Sequence, residues 1–178
     1  MPLSKGCIQI YTGNGKGKTT AAFGLAMRAA GRGLKVFIIQ FLKSSETGEL
    51  ISAQKLQPNL QVFRFEKPRN FFWLLNDDEK LEVKQEISLA FGFVRKSIET
   101  AACDVLILDE IMGALKNNLL SPEDLASALK QKPETMEIVL TGRDVPAIIA
   151  EQANLITEMK DIKHYFEQGI PARIGIEM

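Results

Sequence analysis

Histidine is almost absent from this chain. His164 is the only one, the cysteines are just Cys7 and Cys103, and no Cys-x-x-Cys pair occurs. A structural zinc centre needs about four nitrogen or sulfur ligands, so one built from cysteine and histidine is excluded. Both cysteines sit in apolar surroundings beside strand-like runs and are expected to be buried, reduced thiols. Excess charge is missing too: 22 Lys+Arg balance 22 Asp+Glu, with a pI near 6.6. A neutral balance gives no electrostatic reason to expect nucleic acid or an anionic membrane as partner. No apolar run approaches the ~20 residues that cross a bilayer, and Met1 to Gly6 has no apolar signal core. A cytoplasmic protein with no membrane or nucleic-acid partner is therefore expected. No serine sits in a nucleophile elbow, and Arg143, His164 and the nearby acids form no nucleophilic triad.

What is present is ordinary in amount and specific in order. Hydrophobic residues make up 46% and charged residues 25% of 178 residues, which suits one globular domain over 1–178. No repeat or low-complexity linker divides the chain. Short apolar runs alternate with longer helical patterns. Strands are expected at Cys7–Thr12, Lys35–Leu42, Leu60–Phe65, Val105–Leu108, Glu137–Thr141 and Leu155–Met159. Helices are expected from Thr19 to about Arg32, and from Asp78 to Ala102 with Leu81, Ile87, Phe91, Val94 and Ile98 on the core face. A third begins at Ser121-Pro122-Glu123-Asp124, where serine caps, proline opens the first turn and acids meet the helix dipole. A short fourth follows Pro146. This βαβα alternation predicts a three-layer α/β fold with a mostly parallel sheet and helices on both faces.

The first strand runs directly into Gly13-Asn14-Gly15-Lys16-Gly17-Lys18-Thr19-Thr20 and then a helix, the context of a P-loop. Glycines let successive N–H groups turn toward phosphate oxygens, and the helix N-terminus adds its positive end. Lys18 brings a full charge to the outer phosphates, and Thr19 a hydroxyl for Mg²⁺. The loop is short: three residues separate Gly13 from Gly17 where the usual pattern has four, unless Thr12 takes the first glycine's place. Leu106-Ile107-Leu108-Asp109-Glu110 delivers two carboxylates to the carboxyl edge of the sheet, where either could hold Mg²⁺ directly or through water. Thr141-Gly142-Arg143 aims a guanidinium at the same edge, to clamp a phosphate or form a surface ion pair. His164 carries no clear signal. The loop does not reveal which bond of ATP breaks, since kinases, ATPases and other transferases share it.

The ordered set, Gly13 to Gly24, Gln40-Phe41-Leu42-Lys43, Gly48-Glu49, Leu108-Asp109-Glu110, Thr141-Gly142-Arg143, Thr157-Glu158-Met159, Lys163-His164 and Gly175-Ile176-Glu177, resembles the CobA-type ATP:corrinoid adenosyltransferases over nearly the whole chain. The resemblance implies a RecA-like P-loop fold and a reaction at carbon. Co(I) of a reduced corrinoid attacks the 5′-carbon of ATP, giving an adenosylcorrinoid and tripolyphosphate. It further implies that Gly13, Asn14, Gly15, Lys16, Gly17, Lys18, Thr19 and Thr20 bind phosphates, and that Thr19 and Glu110, with Asp109, bind Mg²⁺. Arg143 would contact the nucleotide, so that Lys18, Glu110 and Arg143 carry the catalysis. Phe71 and Trp73, in the segment Phe71-Phe72-Trp73, would keep the lower axial face of the corrin apolar, which eases reduction of cobalt. An external reductant, either a reductase or a flavodoxin-type donor, and a homodimer are implied as well. Family members carry an N-terminal helix over the corrin. Here six residues precede Cys7, so the corrin is expected to be covered differently. Asn70 and Ser44 stand where the family commonly has glycine. The competing readings are a RecA-like ATPase or small-molecule kinase, and a non-catalytic ATP or corrinoid carrier.

Overall fold

Parallel strands cannot be joined by hairpins, and each return across the sheet needs a crossover, usually a helix. The computed structural model, which describes residues 3–43, 47–70 and 72–177, has that form. The strands are β1 (Ile8–Thr12), β2 (Val36–Gln40), β3 (Leu60–Arg64), β4 (Val105–Asp109), β5 (Glu137–Thr141) and β6 (Leu155–Glu158). Among the described residues they form one six-stranded sheet in the order β3-β2-β4-β5-β1-β6. Every pairing is parallel, so the expected mostly parallel sheet is parallel throughout. The helices are α1 (Lys18–Gly31), α2 (Gly48–Gln54), α3 (Asp77–Glu99), α4 (Ile111–Lys116), α5 (Pro122–Lys130) and α6 (Ala147–Ala150).

Alternation along the buried strands divides the core in two. Val36, Ile38, Val105, Ile107 and Val139 meet the small face of α1, made by Ala22, Ala26, Ala29 and Ala30. Phe37, Ile39, Leu106, Leu108, Ile138 and Leu140 meet α3, α4 and α5 on the other side. Ile38, Ile39 and Ile107 are fully buried, and each contributes roughly 1.5–3 kcal/mol by leaving water.

Several expected boundaries shift for identifiable reasons. Strand β2 stops at Gln40, and Leu42 turns the chain out of the sheet with φ 54°. Helix α3 begins at Asp77 because Asn76 and Glu79 form a reciprocal capping box, and it ends before Ala101, whose φ is 46°. Ser121 caps α5 as expected, accepting from the Asp124 N–H. Leu81 is a correction: it is 57% exposed, whereas Val83, Ile87, Phe91, Val94 and Ile98 are buried. Six residues before Ile87, Leu81 lies about a third of a turn off that stripe. Cys103 is buried as expected, but Cys7 is only half-buried. Helices α2 and α4 are additions that the sequence pattern did not reveal.

Candidate functional site

Strand β5 lies between β1, which feeds the glycine loop, and β4, which ends in Asp109. The carboxyl ends of these three strands and the start of α1 therefore surround one spot. Helix α1 begins just after Gly17, its N-cap, whose φ of 117° suits glycine and which offers no side-chain cap. The first N–H groups of the helix are left without intrahelical partners, as an anion cradle requires. Gly13, at φ 98°, has a second constraint: a Cβ there would lie 2.4 Å from the Met159 carbonyl oxygen. The chain leaving β6 presses on the loop, and Gly15 N–H donates to that same carbonyl at 2.7 Å.

Lys18 Nζ donates to the carbonyls of Gly13 (2.7 Å) and Gly15 (2.9 Å), curling over the loop. Burial lowers its pKa, and Arg143 and Lys43 push in the same direction. Arg143 reaches the loop from the end of β5, with Nη2 3.4 Å from the Asn14 carbonyl oxygen. Three cations, Lys18, Lys43 and Arg143, thus converge on one edge, which favours a polyanion there. Lys16 is engaged elsewhere. Its ammonium donates to Tyr165 Oη and Glu177 Oε1, each at 2.8 Å, tying the loop to the segment after β6. His164 serves locally, its Nδ1 accepting from the Phe166 N–H.

Asp109 is fully buried. Its Oδ1 accepts from Thr19 Oγ1 (3.0 Å) and Thr141 Oγ1 (2.7 Å). Its Oδ2 accepts from Gln40 Nε2 (2.9 Å) and Lys43 Nζ (2.6 Å). Burial raises the carboxyl's pKa, but Lys43 and the donors outweigh it and hold the group below the usual aspartate range. Gln40 is oriented in turn by Arg64 Nε at 2.7 Å. Glu110 adopts the left-handed φ of 63°, and its N–H donates to Thr141 Oγ1 at 2.8 Å. A glutamate in that region is held by its surroundings, here at the start of α4.

Gln40, Lys43 and Thr141 were not singled out individually by sequence reasoning. Their signal was a glutamine, a lysine and a threonine closing otherwise apolar strands at the carboxyl edge. Among the described residues no three carboxylate, histidine or cysteine side chains cluster to hold a metal. The Thr19 hydroxyl with the Asp109 and Glu110 carboxylates nevertheless fits Mg²⁺, which commonly takes one or two protein oxygens and completes its shell with phosphates and water.

Beside this edge opens a cavity of about 720 Å³ lined by Lys43, Glu110 and Arg143 on one side and Phe72, Trp73 and Leu75 on another. Trp73 is 72% exposed at its rim. Arg69, on the same cavity wall, donates to Glu82 Oε2 at 2.6 Å and to Glu86. Glu66 Oε1 accepts from Leu42 N–H at 2.7 Å and joins the ends of β2 and β3 on the cavity wall. Burial raises its pKa. Phe71 and Ser44 lie outside the described residues.

Comparison with known proteins places the chain in a family. The chain is 33% identical over 175 residues to the corrinoid adenosyltransferase of Escherichia coli (strain K12), covering 97% of this chain and 86% of that one. It is 32% identical over 175 residues to the corrinoid adenosyltransferase CobA of Salmonella typhimurium, again covering 97% and 86%. Among solved structures, the flagellar accessory protein FlaH of Methanocaldococcus jannaschii superimposes with a TM-score of 0.57 at 20% identity, over 89% of this chain and 72% of that one. That likeness concerns the fold alone. The family described as ATP:corrinoid adenosyltransferase BtuR/CobO/CobP matches residues 4–178. The chain belongs to the BtuR/CobO/CobP family of ATP:corrinoid adenosyltransferases.

Proposed function

We propose that this chain, acting as one P-loop α/β domain over residues 1–178, transfers the 5′-deoxyadenosyl group of ATP to the cobalt of a reduced Co(I) corrinoid. The observation that carries this reading is adjacency: Lys43, Glu110 and Arg143 belong both to the phosphate edge and to the wall of the cavity. A nucleotide held by its phosphates on the loop would present its 5′-carbon toward a second substrate in that cavity.

The Co(I) electron pair forms the cobalt–carbon bond as the C5′–O bond breaks, and the electron pair of the C5′–O bond leaves with tripolyphosphate. The N–H groups opening α1, Lys18 and Arg143 stabilise the charge that grows on the leaving group. Asn14 to Thr20 bind phosphates, with Lys16 setting the loop's position through Tyr165 and Glu177. Thr19 and Glu110, with Asp109 behind them, would hold Mg²⁺, which would supply further charge neutralisation on the phosphates. Trp73, together with Phe71 as the family resemblance implies, would cover the lower face of the corrin and exclude an axial donor, so that Co(II) would be more easily reduced by an external reductase or flavodoxin-type donor. The enzyme works in the cytoplasm as a homodimer.

The reading is tested by mixing Co(I) corrinoid and MgATP with the protein anaerobically and following the Co(I) absorbance. Stoichiometric loss of Co(I) with growth of a light-sensitive alkyl-corrinoid spectrum is expected. A Co(I) spectrum unchanged by the protein contradicts the reading.

A further inference from the structure

The cation that neutralises buried Asp109 comes from Lys43, and the chain is built to deliver it. Leu42 takes a left-handed φ of 54°, unfavourable for a leucine, and its N–H is anchored by Glu66. Lys43 Nζ then lies 2.6 Å from Asp109 Oδ2 and 2.7 Å from Thr19 Oγ1. The Thr19 hydroxyl gives its proton to Asp109 and turns a lone pair to this ammonium. A divalent ion on Thr19 would need that outward lone pair, and with its bound water would fill the ammonium's volume.

Resting on the nucleotide-site reading above, we propose that Lys43 is a positioning residue, an internal counter-ion that reserves the metal position. Its ammonium and the divalent ion of the metal–nucleotide complex compete for Thr19 and Asp109. Loading displaces the ammonium to the adjoining cavity, where Glu66 offers a carboxylate on the wall. The Lys43 stem is partly exposed on that side, its side chain 26% accessible against 0% for Asp109. Without the nucleotide, Lys43 keeps the buried carboxylate compensated, since an unpaired charge there is costly. The site therefore discriminates against a bare divalent ion and admits the ion with the nucleotide's phosphates.

The test is a Mn²⁺ titration at saturating ATP, with free Mn²⁺ read by electron paramagnetic resonance, on wild type and Lys43→Met. Removing the competitor should lower the Mn²⁺ midpoint about tenfold, as for a binding-competent state about one-tenth populated. Lys43→Met should also melt lower than wild type without metal, and gain more from MnATP. Lys43→Gln keeps a neutral donor beside Asp109 and serves where methionine does not fold; the same fall in midpoint is expected. An equal or higher midpoint in the folded variant overturns the proposal while leaving the nucleotide site intact. Failure of the wild type to bind ATP in equilibrium dialysis overturns the nucleotide-site reading, and this proposal with it.

Discussion

The Thr19 hydroxyl donates to Asp109 Oδ1 at 3.0 Å, joining the first turn of α1 to the end of β4. That single bond links the loop that would hold phosphates to the carboxylate that organises the sheet's carboxyl edge. Around it, Gln40, Lys43 and Thr141 complete the donors to Asp109, so that three other chain segments meet on one buried side chain.

Asp109→Asn should cost about 3 kcal/mol, because it leaves Lys43 facing a neutral group in a partly buried setting. Asp109 has a folded pKa below its unfolded value near 3.9. Its stabilisation is then fully present above about pH 4 and is lost as pH falls through the lower folded value. Chemical denaturation should show a constant gap between wild type and variant from about pH 6 to 8, closing below about pH 4. A gap that widens on acidification contradicts this assignment.

Thr141→Val is nearly isosteric but strands the Glu110 N–H and one lone pair of Asp109. Leaving such groups unsatisfied costs about 1–3 kcal/mol. Thr141→Ser keeps both bonds and should recover most of the loss, measured by urea midpoints with adenosyltransfer rates alongside.

Trp73 is the only tryptophan, so its emission reports the rim of the cavity without interference. Corrinoid binding should quench it, and ATP alone should change it little. Trp73→Ala should raise the corrinoid KM about five- to tenfold, the worth of an aromatic contact of about 1 kcal/mol, with the ATP KM unchanged. An equal effect on both constants would place Trp73 outside the corrinoid site.

Burial pushes the Cys103 thiol up to about 12. Because the folded pKa is raised, the stabilisation is complete below the unfolded value near 8.5 and declines as pH climbs toward 12. At pH 8 an alkylating reagent should modify half-buried Cys7 well before Cys103, whose labelling should await unfolding. Cys103→Ala should lose less stability than wild type between about pH 9 and 11.

The strands were legible in the sequence because β2, β4 and β5 are covered on both faces and so read as unbroken apolar runs. The P-loop was legible because glycine spacing and a following helix are local features. Helices α2 and α4 were not, as seven and six residues hold too few turns for a periodic stripe. Leu81 misled because it is apolar like its neighbours, yet its six-residue spacing from Ile87 turns it about a third of a turn off the buried stripe. The donors around Asp109 come from β2, β5 and α1 and meet only through the strand order. The contact of Lys16 with Glu177, 161 positions away, has no local signature in the sequence.

The central claim is that all three phosphates of ATP leave together from the Gly13 to Thr20 loop. It is tested most directly by phosphorus NMR of the products formed anaerobically from MgATP and Co(I) corrinoid, with Lys18→Ala as the control. One tripolyphosphate per cobalt–carbon bond is expected from wild type, with the rate falling about 10³-fold in Lys18→Ala, as for loss of a donor to developing charge. ADP with inorganic phosphate in place of tripolyphosphate would contradict the account.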